Sequence, residues 1–258
     1  MNSLITTIVP AHNEEKNILL TIDNLLSTFK EFNLNGEIIV INDGSVDSTP
    51  QLVERKIKEN PGLIRMITHD ERKGIGASFW DGVDNAGGDF VVMIPGDNEN
   101  DPREILRYHE LLKEVDIIIP FIFNREIRPL FRNIFSYFFR FVVNATFLTN
   151  FNYTNGTTIY RRSVLKELKY RDNGFFFQTD ILVRTIKKGY LFAEVPSRLD
   201  LRKTGRSKII SFAVALEMIK GYLRLIRDYY FLNKEKKEQG KFSSDSMTDI
   251  RKNKKLTI

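Results

Sequence analysis

There is no cysteine in this chain. No disulfide framework holds it, and with 258 residues it needs none, since a chain of this length buries roughly 70–75% of its unfolded surface. A reducing compartment suits such a chain. Long apolar runs are missing too. No stretch approaches the ~18 consecutive apolar residues of a membrane span. The opening MNSLITTIVPAHNEE lacks the basic and apolar segments of a secretory signal, so none is expected. Histidine is scarce: His12, His69 and His109 are scattered, which excludes a His-rich metal site. No Ser-His-Asp set and no Gly-x-x-x-x-Gly-Lys phosphate loop is present. Strong charge of one sign is also absent from the body. Residues 234–258 carry +4 of the formal +6, leaving no basic face for nucleic acid, and no nucleic-acid partner is expected.

What is there reads as a globular α/β chain. Charged residues make up 28% and hydrophobic residues 42%, too apolar for general disorder. Short apolar runs at 4–9, 37–41, 63–68, 90–94 and 115–119 predict five strands. Between them, residues 14–32, a start at Ser48-Thr49-Pro50, 76–86 and 102–113 predict helices. Apolar strands separated by helices predict a parallel sheet covered on both faces. Ligands of such sheets bind beyond the carboxyl ends of the strands.

Residues 121–150 change in character, holding nine of the 30 aromatics. At helical spacing Leu130, Ile134, Phe138, Phe141, Val142, Ala145 and Leu148 form one broad apolar face, with Arg132, Ser136, Arg140 and Asn144 opposite. Such a helix packs either into a core or onto a membrane interface. A second amphipathic helix spans 209–232. The segment 233–258 has few apolar residues and no periodicity, which predicts a basic disordered tail that either solubilises the chain or is drawn to anionic lipid.

Polar motifs fall at the strand ends. Asn42-Asp43-Gly44-Ser45 puts a carboxylate in a tight turn, where it can accept hydrogen bonds from a ligand or, with Asp47, form an Asx-turn capping the next helix. Gly96-Asp97-Asn98-Glu99-Asn100-Asp101 brings three carboxylates together. Asp97 and Glu99 suit a hard divalent cation such as Mg²⁺. Asp101 suits a cap for the helix that follows.

Val9-Pro10-Ala11-His12-Asn13-Glu14-Glu15, the Asp43 turn, Gly74-Ile75-Gly76 and the Asp97 turn follow in order. Together they resemble the family 2 glycosyltransferases of GT-A fold, and within them the dolichol- or polyprenyl-phosphate mannosyl and glucosyl synthases. The resemblance covers about residues 4–230. It implies a Rossmann-like nucleotide-sugar-binding sheet over 1–208, with acceptor and membrane-interface helices inserted at 127–150. It also implies donor contacts from Pro10, Ala11, Asn13, Glu14, Asp43, Gly74, Gly76 and Asp97, and Mg²⁺ or Mn²⁺ on Asp97 and Glu99. Relatives usually carry Asp-x-Asp where this chain has Pro95-Gly96-Asp97. They often carry Lys between the glycines, here Ile75.

On the acceptor side, Arg125, Arg132 and Ser136 match positions that grip a lipid phosphate, for which Arg offers a planar fork of donors. Asn155 to Arg162 resembles a further family segment. Asp180 matches an acidic position beside the acceptor and is read either as a general base or as a carboxylate at a helix N-terminus. Arg202 and Lys208, in Arg202-Lys203-Thr204-Gly205-Arg206-Ser207-Lys208, match a loop that closes over the donor diphosphate and neutralises the leaving group.

The resemblance implies an inverting, metal-dependent transferase. It would move a sugar from a nucleoside-diphosphate donor to a polyprenyl phosphate, at the inner face of a membrane to which it attaches peripherally. Transfer to a glycan hydroxyl, with Asp180 as base, is the alternative acceptor chemistry. A catalytically silent nucleotide- or partner-binding protein is the alternative from another class, motivated by Pro95.

Overall fold

The computed structural model describes residues 3–127, 130–199, 212–232 and 240–255. Seven strands form one sheet: β1 (Ile5–Ala11), β2 (Gly36–Asp43), β3 (Ile64–His69), β4 (Phe90–Met93), β5 (Ile117–Ile122), β6 (Ile159–Arg161) and β7 (Phe192–Ser197). Their order is β3-β2-β1-β4-β6-β5-β7. The helices are α1 (Ile18–Glu31), α2 (Thr49–Glu59), α3 (Ile75–Asn85), α4 (Arg103–Leu106), α5 (Leu130–Phe147), α6 (Arg162–Lys166), α7 (Phe177–Lys188), α8 (Phe212–Ile226) and α9 (Met247–Lys255).

Strand periodicity splits the apolar residues between two cores. Ile38 and Val40 face one side with Ile22 and Leu25 of α1, while Ile39 and Ile41 face the other with Phe79 and Trp80 of α3. Each such side chain is fully or almost fully buried. Each contributes about 1.5–3 kcal/mol relative to exposure. Both faces being covered explains the continuous apolar runs.

The five strands read from the sequence are present. The sheet is mixed, however, not all parallel. Strand β6 runs antiparallel to both β4 and β5, and β7 runs parallel to β5. Three residues of Asn155-Gly156-Thr157-Thr158-Ile159-Tyr160-Arg161 are too few for periodicity to reveal. The helix expected over 102–113 is broken. It becomes α4 and a 3₁₀ turn, His109–Lys113, while Arg107 and Tyr108 both donate to the Pro196 carbonyl at 3.3 and 3.0 Å.

The expectation of a disordered tail fails for residues 240–255. Asp116 is fully buried. It accepts the Met247 and Thr248 N–H groups at 2.7 and 3.1 Å, the Thr248 hydroxyl at 2.5 Å and Arg161 Nε at 3.0 Å. Phe242 packs on Tyr190 with ring centroids 5.2 Å apart. One buried carboxylate orders a polar segment whose composition alone argues for disorder. Among the described residues, no helix is long and apolar enough to cross a membrane.

Candidate active site

The loops after β1, β2 and β4 meet at the carboxyl ends of the strands. Asn13 holds a left-handed backbone, φ 57°. Its N–H donates to Ser45 Oγ at 3.0 Å, and its Oδ1 accepts the Val46 N–H at 2.9 Å. The Glu14 N–H donates to Thr49 Oγ1 at 2.8 Å. Glu15 and Asp47 cross-cap, each accepting an N–H from the other's loop. The Gly96 N–H donates to the Pro10 carbonyl at 2.9 Å. Pro10, Ala11, Asn13 and Glu14 therefore sit beside the Asp43 and Asp97 turns, in one cluster of backbone loops.

Asp43, at the end of β2, is 4% exposed. Its Oδ1 faces His69 Nδ1 at 2.8 Å and accepts the Lys73 N–H at 2.8 Å, while its Oδ2 accepts the Gly74 N–H at 2.9 Å. Burial alone would raise this carboxyl, but the His69 ring and the two backbone N–H groups outweigh it and hold it below the ordinary range. The side chain thus fixes the 69–74 loop. His69 also reaches Asp81 Oδ2 through Nε2 at 2.8 Å. In the sequence His69 is one of three scattered histidines. Its role comes from register, which pairs Asp43 and His69 as Cα partners across β2 and β3 only once the sheet is formed. The Asx-turn falls to Asp47, whose Oδ1 accepts the Thr49 N–H at 2.9 Å just ahead of α2.

Gly74 and Gly76 carry the loop into α3. Gly74 has φ 96°, a region L side chains avoid. A Cβ on Gly76 would lie 2.5 Å from the Asn173 carbonyl carbon. The pair lets the 72–76 loop lie against the segment before α7.

In the acidic turn, Asp97 Oδ1 accepts the Glu99 N–H at 3.1 Å, and Asn98 takes φ 55°. Asn24 of α1 donates to Asn98 Oδ1 at 2.9 Å, bracing the turn. Asp101 accepts the Arg103 N–H at 2.9 Å, as a cap does. Among the described residues no three carboxylates or imidazoles converge as a metal cluster. A pair such as Asp97 and Glu99 fits Mg²⁺ or Mn²⁺ whose other ligands are diphosphate oxygens and water, the common pattern for nucleotide-bound Mg²⁺.

On the other side, Arg125 occupies a single 3₁₀ turn before α5. Its guanidinium donates to the Ile122 and Asn152 carbonyls at 3.0 and 3.1 Å and lies 5.5 Å from the Tyr137 ring centroid. Arg140 shares the Asn152 carbonyl at 2.8 Å and the same ring at 4.2 Å. The Arg140 hydrogen bond and the two guanidinium charges hold the Tyr137 hydroxyl below its ordinary pKa. Asn133 donates to the Arg125 carbonyl at 2.8 Å, which brings Arg125 against the first turn of α5. Ser136 is half-buried on that helix. Arg132 lies on its backbone, and the Arg132 side chain falls outside the described residues.

The predicted apolar face of α5 looks outward. Ile134, Phe138 and Phe141 are 59%, 65% and 67% exposed, whereas Val143 and Phe147 on the opposite side are fully buried. The described part of α8 adds Leu216, Ile219 and Leu223, all exposed.

Asp180, read above as a base or as a carboxylate at a helix N-terminus, sits in the first turn of α7. It is 2% exposed and pairs with Arg184 Nε at 2.8 Å, while Arg184 reaches Asp228 at 3.0 Å. This buried pair locks α7 to the turn after α8. Its neighbour Gln178 does point toward the acceptor-side loop, donating to the Gly156 carbonyl at 2.9 Å. Arg202 and Lys208 lie outside the described residues. The root of their segment is clamped, because Asn124 and Leu199 exchange two hydrogen bonds of 2.8 and 2.9 Å.

A mixed α/β sheet with polar loops clustered at its carboxyl ends is the GT-A arrangement. The model of Glycosyl transferase family 2 matches residues 6–169, and the chain belongs to that family of sugar-transferring enzymes. Among curated relatives, the undecaprenyl-phosphate mannosyltransferase of Micrococcus luteus is 24% identical over 80% of this chain and 87% of its own length. The polyprenol monophosphomannose synthase of Mycolicibacterium smegmatis is 26% identical over 83% of each. The dodecaprenyl-phosphate galacturonate synthase of Rhizobium johnstonii is 24% identical over 64% of this chain, which spans half of that relative's length. Glucosyl-3-phosphoglycerate synthase of Mycobacterium tuberculosis shares the fold. Its complex with Mn²⁺, UDP-glucose and phosphoglyceric acid superposes with a TM-score of 0.67, at 18% identity over 87% of this chain and 80% of that one. Its complex with Mg²⁺ and UDP gives 0.66, at 17% identity over 87% and 79%.

Proposed function

We propose that this chain transfers a sugar from a UDP- or GDP-linked donor to a polyprenyl phosphate, attached peripherally to the inner face of a membrane. The observation that carries this reading is the outward apolar face of α5 running from the Arg125 turn, which leaves β5 at the same end of the sheet as the turns that hold Asp43 and Asp97. An acceptor with an apolar tail and an anionic head matches both halves of that surface. The names of the curated relatives support the same acceptor class.

In the reaction, an acceptor phosphate oxygen attacks the anomeric carbon opposite the diphosphate. The new C–O bond forms as the bond to the diphosphate oxygen breaks, inverting the carbon and releasing the nucleoside diphosphate. A phosphate is already anionic and needs no base, in keeping with the burial of Asp180. That burial also weighs against a glycan hydroxyl as acceptor. Arg125, with Arg132 and Ser136, orients the acceptor phosphate. Asp43 holds the 69–74 loop at the nucleoside. Asp97 and Glu99 would hold Mg²⁺ or Mn²⁺, whose positive charge would stabilise a departing diphosphate. Arg202 and Lys208 are assigned to the same charge by their match to the family's loop.

The test pairs two measurements. Thermal stability is read against UDP, GDP, dTDP, CMP and ADP, with and without Mn²⁺, for wild type and Asp97→Ala. Transfer from the stabilising donor to undecaprenyl phosphate is then assayed. A Mn²⁺-dependent shift of several degrees, lost in Asp97→Ala, is expected for a ligand well above its Kd. Turnover on lipid phosphate should depend on Arg125. Turnover on glycan alone would overturn the acceptor assignment.

A further inference from the structure

A cavity of about 590 Å³ lies between the 72–75 loop, residues 170–175 and α8. Of the described residues assigned above to the donor, Gly74 alone lines it. Its rim carries Arg72, Lys73, Arg171, Lys220 and Arg224 against Asp172 and Glu217, five cations to two anions. Arg171 is committed to Asp84 at 2.6 Å, and Arg224 stands 3.8 Å from Asp172 and 5.1 Å from the Tyr170 ring centroid. Arg72 and Lys220 are exposed, and among the described residues neither has an ion-pair partner.

The shape of α8 says what such a charge surplus would meet. At 100° per residue the helix presents three sectors. Leu225 faces the core. Lys220 and Arg224 face the cavity. Leu216, Ile219 and Leu223 are exposed beside that cationic sector. An apolar stripe flanked by cations along one helix is how an interfacial helix meets a bilayer, with side chains among acyl tails and basic groups at the phosphate level.

We propose that this cavity is a binding site for the phosphate headgroup of an anionic membrane lipid, separate from the site that takes the acceptor phosphate. It rests on the peripheral attachment proposed above and deepens it. The α5 face supplies apolar contact with any bilayer, whereas the cavity supplies preference for anionic headgroups. Because the 72–75 loop both lines the cavity and donates to Asp43, headgroup binding would stiffen the loop that shapes the donor side.

The experiment is vesicle flotation with phosphatidylcholine alone and with added phosphatidylglycerol, for wild type and the Arg72→Ala/Lys220→Ala double variant. Thermal stability in inorganic phosphate is measured in parallel. Wild type should prefer the anionic vesicles. The double variant should lose about thirtyfold on them, a factor of about five per cation removed, with unchanged stability and unchanged binding to neutral vesicles. A double variant that binds anionic vesicles as wild type does would overturn the site. Equal wild-type binding to both vesicles would overturn it while leaving peripheral attachment standing. No wild-type binding to either would sink both readings. Stabilisation of wild type but not the variant by inorganic phosphate, without vesicle preference, would overturn the lipid source in favour of a soluble phosphate.

Discussion

Asp43 and His69 face each other as register partners on adjacent parallel strands, with His69 Nδ1 2.8 Å from Asp43 Oδ1. The contact is buried, and two backbone N–H groups complete it. The loop cluster at the ends of β2 and β3 is therefore built around an ionised carboxylate inside the protein.

Acid should expose this dependence. The folded Asp43 carboxyl titrates below the ordinary carboxylate value, so over the interval between the two the unfolded chain holds the extra proton. Stability then rises with pH in that interval. The contribution is complete above about pH 5 and fades as pH falls through the folded value. Urea unfolding of wild type and Asp43→Asn should differ by about 2 kcal/mol near neutrality. The difference should shrink on acidification. A gap independent of pH would refute the ionised-carboxylate account.

Asp180 offers a choice between chemistry and packing. Asp180→Asn leaves the Arg184 guanidinium buried with less compensation, and a loss of about 3–5 kcal/mol is expected for a broken buried pair. Denaturant midpoints measure it. Full stability with a collapsed kcat would restore the base assignment.

Gly76→Ala tests the approach of α3 to the 173–174 backbone. The added methyl meets a carbonyl rather than a flexible side chain, so the loop must shift. We expect about 1–3 kcal/mol of destabilisation together with a raised KM for the donor. An unchanged KM would separate this contact from nucleotide binding.

Thr248→Val removes one hydroxyl donor to Asp116, 132 positions away in sequence. A cost of about 1–3 kcal/mol follows for a buried hydrogen bond to a charged group. Faster hydrogen exchange should be confined to α9 and the start of β5. Uniform exchange changes would contradict a local latch.

Phe138→Ser/Phe141→Ser should weaken binding to neutral vesicles while sparing stability, since both side chains are exposed in the free protein. Surface changes of this kind normally stay within about 0.5 kcal/mol. Undiminished vesicle binding would remove α5 from the membrane contact.

Strands β1 to β5 were legible because each is an apolar run of ordinary length ending in a polar turn, and the site's loops were legible because those turns hold Asp43 and Asp97. Strand β6 was not, because three residues carry no period. The roles of His69 and Asp116 were hidden for a related reason: each is set by a partner on another element, and neither register nor docking is written locally. For α5 the outward positions Ile134, Phe138 and Phe141 were readable, but Leu148 falls beyond the helix and the buried Val143 and Phe147 were not singled out, since periodicity describes a face without naming what it meets. Asp180 shows the same limit in reverse. Its position in the first turn of α7 was readable, but Arg184 and Asp228, which decide its chemistry, converge only in three dimensions.

Strands β5 and β6 are antiparallel neighbours, so the chain from 123 to 158 leaves the sheet and returns to it at the same end. Everything assigned to the acceptor phosphate lies on that excursion, and nothing assigned to the nucleotide does. The excursion is thus a module anchored by one face, since Val143, Phe147 and Phe151 pack into the core while the opposite face of α5 is exposed. Lengthening it costs little, about 0.6 kcal/mol per doubling of a flexible loop, and no strand need change its neighbours. Selection can rework the outward part of this excursion while the turns after β1, β2 and β4 keep their places in the sheet.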